Sequence, residues 1–262
     1  MSLNDPVPAV MPVPVLAVEP EPAPALEGIP SRFHCFVTGT DTEIGKTLVS
    51  AAILHKLSSN GVRACGMKPV AAGAVMRDGA LHNEDADTLV AAGNVHLPAN
   101  LTTPYMLREP AAPHIAAALE GVSIGPVPII AAYAEVSAAS DAVVVEGVGG
   151  FRVPFSEGFD SADMAVQLNV PVILVVGLRL GCINHALLTV EAIIKRDLVL
   201  AGWVANQIDP DMRFVDENID ALAQYIPAPL LGRVPYLKNP TVQEAAAFID
   251  LSSLPGWPSA RI

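Results

Sequence analysis

Short apolar runs alternate with longer stretches of helical periodicity from Arg32 onward. Residues 33–38 are a compact apolar run ending at Gly39, the mark of a buried strand. In 46–57 the apolar residues Leu48, Ala51, Ala52, Leu54 and Leu57 recur on one helix face, and Gly61 supplies a stop. A strand is predicted at 62–67, then a loop punctuated by Pro69, Gly73 and Gly79. Helices are predicted at 84–92, 113–119 and 126–138, the last with proline near its start. The β-branched run 142–145 predicts a strand leading into Glu146-Gly147-Val148-Gly149-Gly150. The pattern then gives helices at 161–168, 183–196, 213–225 and 241–248, separated by strands at 171–176, 199–205 and 230–234.

This alternation predicts an α/β fold, a mainly parallel, doubly wound sheet flanked by helices. Crossovers in such a sheet are right-handed, and ligands bind beyond the carboxyl ends of its strands. Segments 39–47, 68–73, 146–150 and 177–184, and Asn206, all follow strands, so they are expected to converge at one edge. With no internal repeat and no second boundary, residues 32–262 read as one domain. Residues 1–31 differ: Pro6, Pro8, Pro12, Pro14, Pro20, Pro22, Pro24 and Pro30 interrupt every apolar run. They exclude helix and central strand, so a disordered or polyproline-like, dispensable tail is expected. The segment lacks the basic start of a signal peptide.

Composition narrows the function. Hydrophobic residues are 52% of the chain, yet no run approaches the roughly 18–20 unbroken apolar residues of a membrane helix. The apolar excess fits a sheet buried on both faces. A net charge of -12 with 15 Lys plus Arg argues against nucleic acid as a partner. Cys35, Cys65 and Cys182 are scattered without metal-ligand spacing, as expected of buried thiols in a reducing cytoplasm.

The strongest chemical signal is Gly39-Thr40-Asp41-Thr42-Glu43-Ile44-Gly45-Lys46-Thr47, which follows a strand and opens a helix. That is the context of a phosphate-binding loop, whose backbone N–H groups and helix N-terminus hold phosphate oxygens. Lys46 would neutralise β- and γ-phosphate charge, and Thr47 would offer its hydroxyl to Mg²⁺. The spacing is irregular, because Thr40 stands where the usual first glycine belongs and Gly39 comes one residue early. Lys68 ends a strand before Pro69 and suits a second anion clamp. Glu146, at a strand end before a Gly-rich loop, suits a magnesium carboxylate. Asp85 lies in the acidic run Asn83-Glu84-Asp85-Ala86-Asp87, and spacing alone does not choose among these acids. Asn206 fits either an adenine edge or an ordinary turn.

Together these motifs resemble the dethiobiotin synthase family. The resemblance rests on 36–47, Lys68-Pro69-Val70-Ala71, 145–150, 171–189, 200–206 and 226–232, and spans about 32–248. It implies a cytoplasmic homodimer, with the substrate site near the subunit interface, that converts 7,8-diaminononanoate, CO2 and ATP to dethiobiotin, ADP and phosphate. It implies catalytic roles for Lys46, Lys68 and Thr42, and magnesium ligation by Thr47, Asp85 and Glu146. Thr42, Glu43, Ile44, Gly45, Lys46 and Thr47 match its phosphate loop, with Gly147, Val148 and Gly149 in its acidic loop. Asn206, Gln207, Pro235, Tyr236 and Leu237 match its adenine side, and Asn184 its contact to the substrate carboxylate. Two positions depart from the family. Ala72 stands where a serine is common, so weaker substrate binding is expected, and no tyrosine stands near Glu217, where the family often contributes one across the dimer. A switch ATPase with an extra lysine early in the loop would need it where Asp41 stands. An amidoligase would need a glutaminase domain, for which the sequence after Phe248 is too short.

Overall fold

The structure, a computed structural model, describes residues 32–258, so the expectation for the proline-rich segment 1–31 lies outside the described residues. Six strands form the main sheet: β1 Phe33–Gly39, β2 Ala64–Met67, β3 Ala142–Glu146, β4 Val172–Leu178, β5 Leu200–Gln207 and β6 Leu230–Val234. Their order is β6-β5-β4-β1-β3-β2, and every neighbouring pair is parallel. The sequence therefore runs outward on one side of β1 and returns to build the other side. This reversal makes the crevice after β1 the topological switch point, where such sheets bind ligands.

The sequence explains the layers. Strands β3 (AVVVE) and β4 (VILVVGL) are buried along their whole length, as strands covered on both faces must be. On one face helix α1, Lys46–Ser59, buries Val49, Ala52, Ile53, Leu54 and Leu57 against Val37, Val144 and Val175. Helix α2, Glu84–Ala92, adds Leu89 to that core. On the other face α3 Pro113–Leu119, α4 Pro126–Ala139 and α5 Ser161–Leu168 pack around Phe36, Val143 and Val145. Helices α6 Cys182–Ile194 and α7 Val215–Tyr225 cover Leu174, Val176 and Trp203. No described helix is long and apolar enough to cross a membrane.

Two differences from the sequence pattern bear on the site. The loop expected after Lys68 contains a hairpin, Val75–Arg77 paired with Ala80–His82. Its Asp78-Gly79 tip has φ of 52° and 83°, the left-handed pair that a two-residue hairpin turn requires. The strands are three residues each, too short to show a period. Strand β5 also runs two residues beyond 205, so Asn206 lies inside the sheet and not in a turn after it. Gln207 pairs with Leu178, which shows why the strand continues: the longer β4 offers it partners.

Candidate functional site

The loop after β1 wraps the start of α1. Thr40 N–H donates to Val175 O at 3.1 Å, tying the loop to the neighbouring strand where a first glycine is missing. Glu43 has φ 57° and Gly45 φ 84°. At Gly45 a Cβ would fall 2.2 Å from Asn206 Nδ2, so glycine is required for both space and backbone. Asn206 is buried, and its amide donates to Ile44 O at 2.8 Å. It therefore braces the loop from the adjacent strand, a function that sequence spacing does not reveal.

Lys46, the first residue of α1, is buried and donates from Nζ to Asp41 O at 2.7 Å. Burial first, and then the like charge of Lys68, lower its pKa from 10.5 to about 8. A bound phosphate would hold it charged. Nucleotide affinity is therefore expected to be flat below about pH 8 and to fall by up to about tenfold per pH unit above it. Titration of a fluorescent ATP analogue across pH 7–10 checks this, since a K46Q control lacks the falling limb. Folding stability has the opposite sign. Between pH 8 and 10.5 the unfolded chain retains the proton that folded Lys46 has lost, so stability rises with pH across that window.

Lys68 follows β2 and reaches under the loop. Its Nζ lies 2.7 Å from Asp85 Oδ2, 2.5 Å from Glu146 Oε1 and 3.2 Å from Gly147 O, and the residue is 3% exposed. Burial disfavours the ammonium, but Glu146 and Asp85 outweigh it and raise its pKa. Burial likewise pushes the Asp85 carboxyl up, and Lys68 more than reverses this. Glu146 is fully buried at the end of β3, in register with Val37 of β1.

Thr47 Oγ lies 2.7 Å from Asp85 Oδ1 and 2.9 Å from Glu146 Oε1. One hydroxyl hydrogen serves only one of these acceptors at a time. Glu146 Oε2 is buried without a partner among the described residues. Unused lone pairs thus face one another from three side chains, a donor set that fits a hard divalent cation. No cluster of three or more His, Cys, Asp or Glu forms a metal site among the described residues. Two carboxylates and a hydroxyl suffice for Mg²⁺, which keeps several waters.

Apart from the buried Glu146, these groups line one cleft of about 790 Å³. Lys46, Thr47, Lys68 and Asp85 form its charged wall, with Thr42 and Gly149 at the rim. Ala72 lies in an apolar wall with the run Pro110-Ala111-Ala112-Pro113, and the sequence pattern did not point to that run. The proline pair bracketing the start of α3 was the available signal. A second cleft of about 270 Å³ adjoins Gly45, where Asn206, Gln207, Pro235, Tyr236 and Leu237 meet Leu48 and Ile208. All five residues expected on the adenine side thus share one pocket. Asn184 is the exception: it is exposed on the first turn of α6 and lines neither cleft. Its strand-to-helix turn does reach the phosphate loop, through an ion pair between Arg179 and Asp41 that spacing gave no reason to expect.

A parallel sheet with a glycine-lysine-threonine loop at its switch point, and acids from a neighbouring strand and from helix α2 around Lys68, defines a P-loop nucleoside triphosphatase. A family profile described as an AAA domain matches residues 34–244. Among solved structures, the MinC:MinD cell division complex of Aquifex aeolicus aligns over 79% of this chain and 82% of that one, at TM-score 0.51 and 16% identity. A ParA family ATPase from Chlorobium tepidum aligns over 83% and 89%, at TM-score 0.50 and 14% identity. These likenesses describe the fold alone. The ATP-dependent dethiobiotin synthetase BioD of Janthinobacterium sp. (strain Marseille) is 56% identical over 234 residues, 88% of this chain and 99% of that protein. The chain belongs to the dethiobiotin synthetase family.

Proposed function

We propose that this protein is an ATP-dependent ligase that closes the ureido ring of dethiobiotin from 7,8-diaminononanoate and CO2, in biotin biosynthesis. The carrying observation is the pairing of two cleft walls. One holds Lys46, Lys68, Asp85 and Thr47 for a triphosphate, with Glu146 buried behind them, and the other is alanine and proline, suited to a methylene chain. Family membership at 56% identity supports the same reading.

The chemistry follows from the residues. A carbamate formed on one substrate amine is an anion, and it must meet the γ-phosphate, another anion. Lys46 and Lys68 supply the positive charge that lets the two approach, and backbone N–H groups of 42–47 hold the phosphates. Carbamate oxygen attacks phosphorus, ADP leaves, and the second amine displaces phosphate from the mixed anhydride to close the ring. Positioning and charge neutralisation do this work, without a protein nucleophile. Thr47, Asp85 and Glu146 would hold Mg²⁺, which supplies further charge neutralisation for the phosphates. The adenine would lie against Asn206, Gln207 and 235–237. With Ala72 in the wall, no hydroxyl stands there for the substrate, and Thr42, which lines the same cleft, is the alternative.

Asn184 would act on the substrate carboxylate across a homodimer. Its exposure beside Leu180 and Leu188, 95% and 58% exposed, supports a surface that a second copy covers. Cytoplasmic location fits a biosynthetic enzyme with three free, buried thiols. The catalytic domain is 32–262, and deletion of 1–31 is expected to leave kcat and thermal midpoint unchanged; loss of either would make the segment part of the folded unit.

The deciding assay is ADP release from Mg·ATP with bicarbonate, with and without the diamine. Release that depends on the diamine, with a cyclic urea as product by mass spectrometry, supports the ligase. Hydrolysis indifferent to the diamine would sink it.

A further inference from the structure

The excursion between Lys68 and Asp85, assigned above to the phosphate and metal chemistry, is bridged at its neck by the Asn83 side chain. Asn83 Oδ1 accepts from Ala86 N–H at 3.2 Å and so caps α2. Its Nδ2 donates to Ala72 O at 3.0 Å, at the apolar wall of the cleft. Asp85, two residues on, is held at Oδ1 by Thr47 and at Oδ2 by Lys68. Between 72 and 83 lies the hairpin, with Val75 and Met76 exposed. Arg77 and His82 both pair with Asp87 and clamp the hairpin onto α2.

We infer that Asn83 is a positioning residue that fixes the distance between the cation carboxylate Asp85 and the substrate wall at Ala72. The inference rests on the proposed function. Only an amide joins a donor and an acceptor in a planar group of this length. Its acceptor end sets the first turn of α2, and with it the aim of Asp85 at Thr47. Its donor end pins the carbonyl of the wall residue. Asn83 thereby links the nucleotide and diamine sites although it lines neither cleft.

The test uses the full chain as wild type, N83S and N83A. Titration calorimetry measures the affinity for a non-hydrolysable ATP analogue with and without Mg²⁺, and separately the affinity for the diamine. A serine hydroxyl keeps the cap but is too short to reach Ala72 O. N83S is therefore expected to bind the Mg·analogue as wild type does, and to lose about fivefold in diamine affinity, the worth of one hydrogen bond. N83A is expected to lose both, with its metal-dependent gain in analogue affinity also reduced about fivefold, the worth of a cap. Diamine affinity unchanged in N83S overturns the inference. So does an equal loss of both affinities in both variants with a lowered thermal midpoint, which a purely structural cap would give. A wild type that binds analogue but no diamine would sink the proposed function instead, and the metal-dependent difference between N83A and N83S would then decide the role of Asn83.

Discussion

Lys68→Met is expected to lose about 3–5 kcal/mol of stability in metal-free buffer, the usual effect of removing one partner from a buried ion pair. Glu146 would remain fully buried with its closest cation gone and one oxygen already unpartnered. Thr47 offers a single hydrogen against two carboxylates, so it does not compensate. Magnesium should restore much of the loss, because a cation among the same oxygens replaces the ammonium, and binding to the folded state alone stabilises it. Urea unfolding in EDTA and in excess Mg²⁺ measures both. A variant as stable as wild type in EDTA would show that Lys68 does not neutralise the buried acid. Restored folding should not restore turnover, since in the proposed mechanism the charge that brings carbamate and phosphate together is gone.

Lys46→Gln should behave in the opposite way. Its ammonium is buried beside another ammonium, and its lowered pKa means that folding works against the charge, by roughly 3 kcal/mol at neutral pH. The variant is expected to be no less stable than wild type, although it gives up the contact to Asp41 O. Diamine-dependent ADP release should fall on the order of 10³-fold, as when a preorganised charge at a developing oxyanion is removed. Thermal melting with steady-state ADP release checks the pair of outcomes. A marked loss of stability would mean that Lys46 braces the loop, and retained turnover would remove it from the chemistry. The two lysines, both nearly excluded from water, thus separate into one held charged by its neighbours and one kept poised for a ligand's charge.

Much of this was legible along the chain. The phosphate loop announced itself through Gly45-Lys46-Thr47 between a strand and a helix, because each residue type there has a local reason. Glycine is needed for a left-handed backbone, and the others for charge and a hydroxyl. The capped acidic start of α2 was legible as a helix start. Which of its acids mattered was not, since Glu84, Asp85 and Asp87 all suit a helix N-terminus equally well. Only the approach of α2 to α1 selects Asp85, by bringing it to Thr47 and Lys68. Asn206 shows the same limit: its place in the sequence left an adenine contact or a turn open, whereas its partner is Ile44, 162 residues away.

The sequence by itself determined the alternation of buried strands and helices, the edge at which the loops gather, and the chemistry of the phosphate loop. These depend on periodicity and on local backbone demands, which act over a few residues. Tertiary structure alone decided which carboxylates share Lys68, that Asn206 braces the loop, that an alanine-proline run lines the same cleft as the charged groups, and that Asn184 stands outside both clefts. Those facts depend on how strands and helices pack across the sheet, which juxtaposes residues 17 to 162 positions apart, and no local pattern records such distances.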